Sequence, residues 1–160
     1  MSNELELARR VVACKAWRWI PGMLALFDPE LVPRVIGSFA VDYGLRHRVT
    51  NVVPGGWHGV TEYHADYPDA EHENESGSSP TSLPDFSDPL TAAGLLLLVR
   101  EAYNAPEACT GRAGAYWYVY PRVDNGLDQD TEPIGMTWND KHTTELAALV
   151  AALEAAPCSQ

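Results

Sequence analysis

Three residues near the middle of the chain have the types and the spacing that metal binding could use. His58, Glu62 and His64 occupy even positions, and even positions share one face of an extended strand. Imidazole and carboxylate groups suit several transition metals, and His47 is a possible fourth ligand. At ~3.3 Å per residue, His58 lies ~13 Å from Glu62, and Glu62 lies ~7 Å from His64. The alternative is a polar strand face, and we predict no bound metal or other cofactor.

Carboxylates form the second group of candidate residues. They fall in two stretches: Asp66, Asp69, Glu71, Glu73 and Glu75, and then Asp124, Asp128, Asp130 and Glu132. Their order lacks the alternating acids and central glycine of an EF-hand calcium loop. Carboxylates at such intervals imitate a phosphate backbone and would compete for the basic side chains of a nucleic-acid-binding protein. A solvated acidic surface that only keeps the protein soluble is the alternative.

The distribution of charge supports a basic partner. Residues 1–50 hold seven Lys or Arg against five Asp or Glu, whereas residues 51–160 hold four against seventeen, and the net charge of the chain is −11. Phosphates would be repelled over most of such a surface, so direct binding to nucleic acid or to an anionic membrane is disfavoured. We therefore expect a protein partner with a basic surface.

Aromatic residues are candidates for an interface. Tyr116, Tyr118 and Tyr120 alternate along a predicted strand and share one face. Trp57 follows a Gly-Gly turn, where an exposed indole would be an interface anchor. Ordinary sheet packing is the alternative for the tyrosines, and the core is the alternative for the tryptophan.

Motifs for covalent or acid–base chemistry are missing from the sequence. It contains no nucleophile elbow, no phosphate-binding glycine loop and no H-E-x-x-H pattern. Cys14, Cys109 and Cys158 are odd in number and widely spaced, which indicates neither a disulfide framework nor a zinc site. We therefore expect a cytoplasmic protein that is not an enzyme, without a signal peptide.

One helix is predicted to organise the chain. Asp88 is placed to cap it and Pro89 suits its first turn. From Leu90 to Val99 the only polar side chain is Thr91, so we expect this helix to be enclosed by other elements. The run is too short to span a bilayer.

The other predicted elements surround this helix. We expect an N-terminal helix from Asn3 to about Trp19, and strands within residues 34–64 turning at Pro54-Gly55-Gly56. A flexible acidic loop follows at about 66–82. After a connector at 106–114, a strand at 115–120 pairs with 134–138, and Thr144 caps a C-terminal amphipathic helix. These elements predict a single α+β domain over residues 1–160 with a mainly antiparallel sheet.

Three segments resemble a family of small bacteriophage and prophage proteins. They are residues 13–23 (ACKAWRWIPGM), 83–103 and 144–157. The chain departs from the family's pattern at Ile20, where methionine is expected, and at Ala147, where glutamate is expected. The resemblance implies a phage origin and a loose similarity to α/β/α-sandwich domains, and it brings no known activity.

Together these observations predict a non-enzymatic, phage-encoded protein that binds a host protein. In its sharper form the hypothesis is that the acidic surface inhibits a nucleic-acid-directed defence system. Two alternatives remain open. One is a small metal-dependent enzyme built on His58, Glu62 and His64; the other is a virion or structural accessory protein that oligomerises through the alanine face of the last helix, formed by Ala147, Ala148, Ala151 and Ala152.

Overall fold

The computed structural model describes residues 3–27, 46–62, 74–77, 82–122 and 131–157, with side chains for all of these except 27, 61–62 and 74–77. This part of the chain holds three helices and seven strands, and every strand pairing is antiparallel. The predicted α+β class is confirmed. By internal contacts the chain divides into a sheet unit, Trp19–Thr91, and a helical unit, Met1–Arg18 with Ala92–Gln160. The prediction of one domain stays a prediction.

The sheet unit contains five strands in the spatial order β4-β3-β2-β1-β5. Their bounds are β1 Leu24–Phe27, β2 Arg46–Val53, β3 Gly56–Glu62, β4 Asn74–Gly77 and β5 Ser82–Pro84. The turn between β2 and β3 is Pro54-Gly55, as predicted. Gly55 has a φ of +84°, which a glycine adopts without the steric cost of a Cβ.

The sheet confirms one prediction made from the sequence and corrects another. The antiparallel pairing within 46–62 is confirmed, while the part of the prediction that involves residues 34–45 lies outside the described residues. The prediction of an irregular loop at 66–82 is wrong for Asn74–Gly77, because this stretch pairs with Trp57–Val60 as an edge strand. Its side chains have low β propensity, so the strand depends on backbone pairing with β3 and not on a hydrophobic pattern.

The buried face of the sheet follows from strand alternation. His47 and Val49 on β2 and Trp57 on β3 are each about 1% exposed, and the Trp57 ring packs 6.0 Å from His47 and 5.9 Å from Trp19. Gly59 makes room for this indole. A Cβ at Gly59 would stand 2.6 Å from the Trp57 ring and 2.8 Å from the Arg48 carbonyl.

Asp88 joins the start of the second helix to two strands of the sheet unit. Its Oδ2 accepts hydrogen bonds from the Thr91 N–H at 2.9 Å, the Thr91 hydroxyl at 2.8 Å and Arg48 Nη1 at 2.9 Å. The Thr91 oxygen accepts in turn from the Leu24 N–H at 2.7 Å. Arg48 also donates to the Gly22 carbonyl. We call Asp88, Thr91 and Arg48 the Asp88 network; it confirms Asp88 as the predicted cap.

The second helix, α2, runs from Pro89 to Ala102. Thr91, Leu95, Leu98 and Val99 form its buried side, but Leu90 is 60% and Leu97 41% exposed. The prediction that this helix is enclosed on all sides is therefore wrong. Four consecutive leucines point around the whole circumference of a helix, and the packed elements cover only one side.

The helical unit contains α1, the rest of α2, α3 and a β-hairpin. The first helix, α1, is Asn3–Val12 and the third, α3, is Glu145–Glu154. A two-point ion pair joins them, with Arg10 Nε and Nη2 at 2.9 and 2.6 Å from the Glu154 carboxylate. The prediction that α1 extends to about Trp19 is wrong. After Val12 the backbone forms tight i→i−3 turns instead of continuing the α-helix.

The hairpin corrects a second prediction. Its strands are β6, Cys109–Ala113, and β7, Tyr116–Tyr120. Residues 106–114 were predicted as a connector and 134–138 as the partner of β7; both predictions are wrong. The sequence of β6 contains Gly, Ala and Arg, so the strand is recognisable only from its pairing. The 134–138 segment forms turns, and its backbone hydrogen bond to β7 runs from the Ile134 N–H to the Val119 carbonyl at 2.7 Å.

Thr144 caps α3 as predicted, since its side chain accepts a hydrogen bond from the Ala147 N–H at 3.1 Å. The predicted alanine face is not available as a whole, since only Ala147 and Ala151 are partly accessible, and oligomerisation stays a prediction. Ala148 and Ala152 are fully buried within the chain, because α3 packs against α1 and the hairpin. Small side chains on this helix allow close approach of neighbouring elements.

The Asp88 network predicts an acid-sensitive contribution to stability. Burial alone raises the pKa of the Asp88 carboxyl, but the hydrogen bonds from Thr91 and Arg48 outweigh burial and lower it. A lowered pKa means that the native state resists protonation, so the contribution is complete above about pH 4 and is lost as pH falls through the native pKa. We expect Asp88→Ala to lower the free energy of unfolding at pH 7 by about 2 kcal/mol or more, because both the cap and the Arg48 pair are lost.

Asp88→Asn is the matched control for this prediction. Asparagine caps helices as well as aspartate, so this variant should lose less stability and should lack the part of the acid dependence that Asp88 contributes. Urea unfolding at pH 7, 5, 4 and 3 measures both effects. Equal acid dependence in Asp88→Asn and the parent chain would contradict the assignment.

The position of Gly135 in the helical unit requires a residue without a side chain. Its φ is +66°, and a Cβ there would overlap the Tyr103 hydroxyl and stand 3.1 Å from the Ala152 backbone. Gly135→Ala should therefore destabilise the protein by more than about 2 kcal/mol, from backbone strain and overlap together. Gly114 is the control, because it has a φ of +62° but nothing within 4 Å of its added Cβ. Gly114→Ala should cost only about 1–2 kcal/mol in urea unfolding, and equal losses would contradict the packing argument.

Candidate protein-binding site

Most of the predicted acidic residues lie outside the described residues. This applies to Asp66, Asp69, Glu71, Glu73, Asp124, Asp128 and Asp130. Glu75 is on the edge strand β4, whose side chains are not described, and Glu132 is exposed. The phosphate-mimic geometry of the acidic residues therefore stays a prediction.

The predicted metal ligands do not form a complete set in the described part of the chain. His58 is exposed on β3, Glu62 is described only by its backbone, and His64 lies outside the described residues. His47 is buried on the face of the sheet that carries Trp57. His58 follows Trp57 on β3 and points to the opposite face, because adjacent residues of a strand alternate between the two faces. His47 therefore cannot join His58 around one ion. Among the described residues, no group of three or more His, Cys, Asp or Glu is close enough to hold a metal.

Trp57 is not an exposed interface anchor. Its side chain is 1% exposed and packs between Trp19 and His47. The prediction is wrong because the turn ends at Gly55. Gly56 already belongs to β3, so the next residue alternates to the covered face of the sheet.

The three predicted tyrosines share one face of β7, but only one of them is partly accessible. Tyr118 and Tyr120 are buried, at 3% and 1% exposed, whereas Tyr116 is half-buried. A fourth aromatic ring covers the buried pair. The Trp138 ring lies 5.0 Å from Tyr118 and 6.1 Å from Tyr120, at tilted angles that aromatic pairs favour. Tyr118 and Tyr120 thus act as a support for Trp138.

Trp138 is the exposed aromatic residue that the sequence analysis missed. Its side chain is 42% exposed even though two tyrosines hold one side of it. The missed signal is the sequence Thr137-Trp138-Asn139-Asp140, in which the polar residues are typical of a turn. A tryptophan enclosed by turn-forming residues is displayed at the tip of the turn and not in a strand.

The turn that carries Trp138 is closed by side-chain hydrogen bonds. Asp140 Oδ2 accepts from the Thr137 N–H at 2.6 Å and from the Thr137 hydroxyl at 3.0 Å, and the Asn139 N–H donates to the Thr137 hydroxyl oxygen at 3.3 Å. The backbone adds a bond from the Asp140 N–H to the Thr137 carbonyl. The Thr137 hydrogen bonds lower the pKa of Asp140, so its exposed carboxylate stays charged. The turn therefore carries an indole and, two residues later, a carboxylate.

The same turn is attached to the rest of the helical unit at both ends. The Ile134 N–H donates a hydrogen bond to the Val119 carbonyl of β7, and Gly135 packs against Ala152 of α3. The Tyr118 hydroxyl donates to the Trp138 carbonyl at 3.3 Å. On the other side of the turn, the Trp117 N–H donates to the His142 carbonyl at 2.8 Å. Trp138 is therefore exposed but fixed in position.

A cavity elsewhere in the helical unit is a second candidate site. It measures about 510 Å³ and is lined mainly by alanine, leucine and proline near the ends of α1 and α3, with Arg10, Cys14 and Lys15 at its polar side. Burial raises the pKa of the Cys14 thiol, which disfavours the reactive thiolate. The Cys14 sulfur donates to the Arg10 carbonyl. These features fit a structural cysteine and not a nucleophile.

Accessibility of the indoles provides a direct check of this geometry. Trp138→Phe should remove a large share of the tryptophan fluorescence that acrylamide quenches, because Trp138 is the most exposed described tryptophan. Trp57→Phe is the control, since a buried indole contributes little to quenching; its expected effect is a loss of stability. A quenchable fraction that is unchanged in Trp138→Phe would contradict the exposed position of Trp138.

Within the described ranges, no helix has both the length and the apolar character needed to cross a membrane. Comparison with known proteins gave no match to any protein-family model, curated protein or solved structure. The predicted relationship to phage proteins therefore stays a prediction.

Proposed function

We propose that this chain is a non-enzymatic binding protein that engages a basic surface of a partner protein. The binding surface is the one around Trp138, which we call the Trp138 surface and define as Glu132, Trp138, Asn139 and Asp140. The observation that carries the proposal is the 42% exposure of an indole that is fixed by two tyrosines and a closed turn.

The energetics of interfaces support this use of Trp138. Tryptophan is enriched among the few residues that dominate binding energy, since it buries a large area on association. Binding costs less free energy when the side chain is already held in one position, because little conformational entropy is lost. The Tyr118 and Tyr120 contacts and the Asp140 hydrogen bonds supply that rigidity.

Charge supports a basic partner. Between residues 123 and 140 the sequence contains five acidic residues and no Lys or Arg: Asp124, Asp128, Asp130, Glu132 and Asp140. This segment connects β7 to the Trp138 turn in the sequence, and of its acidic residues Glu132 and Asp140 are described and exposed. Such a negative field accelerates association with a basic surface and weakens as salt is added.

The sharper form of the proposal concerns the class of partner. An acidic surface that competes with a phosphate backbone would engage a nucleic-acid-binding protein, and for a phage-encoded chain the partner would be a host defence protein. The net charge of −11 supports this form of the proposal. Competition by DNA distinguishes it from binding to a basic protein that does not bind nucleic acid.

The test is affinity capture of a partner with the tagged full chain at 50 and 300 mM salt. We expect one main protein with a basic surface to be retained at low salt and largely released at high salt. Trp138→Ala should weaken its binding at least tenfold, which is the scale of an anchor residue worth about 1.4 kcal/mol or more. Excess duplex DNA should displace the protein if the partner binds nucleic acid.

Two matched variants separate the site from general charge. Asp128→Asn with Asp130→Asn and Glu4→Gln with Glu6→Gln each remove two negative charges, but only the first pair lies in the segment leading to Trp138. The first pair should weaken capture more than the second. Equal effects of the two pairs, or full binding by Trp138→Ala, would contradict the proposed site.

A further inference from the structure

We infer that the Trp138 surface recognises an arginine side chain of its partner, which stacks on the exposed face of the Trp138 indole beside the Asp140 carboxylate. This inference rests on the proposed function and names the group that the site binds. Its basis is the pair of cations that lie over neighbouring aromatic rings of the helical unit.

Two aromatic rings near Trp138 carry a cation from the chain itself. Arg112 lies over the Trp117 ring at 5.8 Å and Lys141 lies over the Tyr116 ring at 5.6 Å. Both distances are within the range in which a cation is attracted by the negative face of a ring. Among the described residues, no cation is found over the Trp138 ring. Trp138 is also the most exposed of these three aromatic residues.

Two tyrosines cover one side of the Trp138 indole, and its other side is accessible. Tyr118 and Tyr120 contact the indole at 5.0 and 6.1 Å, and the remaining surface is open to solvent. Indole is the strongest cation-binding ring among the natural side chains. In the described part of the chain Trp138 is thus the ring of this group without a cation over it, which makes it the place for a cation from outside the chain.

Two carboxylates close to Trp138 in the sequence favour a cation as the occupant. Asp140 follows two residues after Trp138 in the same closed turn, and the Thr137 hydrogen bonds use only one of its two oxygens, Oδ2. Glu132 is exposed in the segment before the turn. Lys141 and Arg112 are already placed over other rings, so a positive group from outside would find both a free ring face and a carboxylate.

Shape favours arginine over lysine. The guanidinium group is planar, so it stacks flat on an indole while its N–H groups reach a carboxylate at the edge. An ammonium group is a compact point charge with a tighter hydration shell, and it gains less from the ring. The site should therefore discriminate between two side chains of equal charge.

The probes are two fluorescently labelled peptides of twelve residues that differ only in having four Arg or four Lys in a Gly-Ser background. Anisotropy titration of the intact protein at 50 mM salt measures their affinity. We expect the Arg peptide to bind about two- to fivefold tighter than the Lys peptide, the scale of one exposed cation–π contact. The Arg preference should persist in part in Trp138→Phe and disappear in Trp138→Leu.

Controls separate this inference from the proposed function. Asp140→Asn should weaken both peptides, and Leu97→Ala, at an exposed leucine of α2, should change neither. Equal binding of the two peptides, or an Arg preference that survives in Trp138→Leu, would overturn the arginine assignment while leaving a basic partner in place. A captured partner that binds Trp138→Ala as tightly as the parent chain would overturn the proposed function itself.

A second copy of this chain could be the source of the arginine. It would appear as a dimer that dissociates in Trp138→Leu, and that result would contradict a separate partner.

Discussion

The sheet unit depends on one carboxylate, that of Asp88. Helix N-termini leave backbone N–H groups unpaired, and Asp88 satisfies one of them while also fixing the Thr91 hydroxyl and the Arg48 guanidinium. Because the Thr91 oxygen accepts from Leu24 at the start of β1, the first turn of α2 is locked to the strand beside it. Removing the charge would leave a mostly buried arginine without its carboxylate, which costs more than the loss of a cap alone.

A different set of contacts fixes the proposed binding surface in the helical unit. Strand alternation puts Tyr118 and Tyr120 on one face of β7, and the chain returns after 131 to cover them with Trp138. Burial of the two tyrosines provides the energy, while the Thr137–Asp140 hydrogen bonds fix the angle at which the indole leaves the surface. A large apolar side chain is thereby held in water, where a partner can use it. The rigid support, and not the exposure alone, is what suits the indole to an interface.

The sequence predicts the ends of helices better than it predicts which side of them is covered. Asp88 and Thr144 are recognisable as caps because side-chain capping is local and follows simple residue preferences. Leu90 and Leu97 were predicted to be enclosed, yet the tertiary arrangement leaves them exposed. Strand β6 was missed since its pairing with β7, and not its own propensity, creates it.

The candidate site shows the same division between local and tertiary information. Alternation correctly places the three tyrosines on one face, but nothing in the spacing of β7 reveals that Trp138 folds back over two of them. For Trp57 the alternation is equally decisive, because β3 begins at Gly56 and the next residue lies on the buried face. Contacts between segments distant in sequence thus decide which aromatic residue is accessible.

Oxidative footprinting of Trp138 tests the central claim most directly. Hydroxyl radicals modify accessible indoles, and mass spectrometry reports the modified fraction of each tryptophan with and without the captured partner. We predict strong labelling of Trp138 in the free chain and strong protection in the complex, with Trp57 weakly labelled in both states. Equal labelling of Trp138 in the free and bound protein, at full occupancy of the complex, would contradict a binding surface centred on this residue.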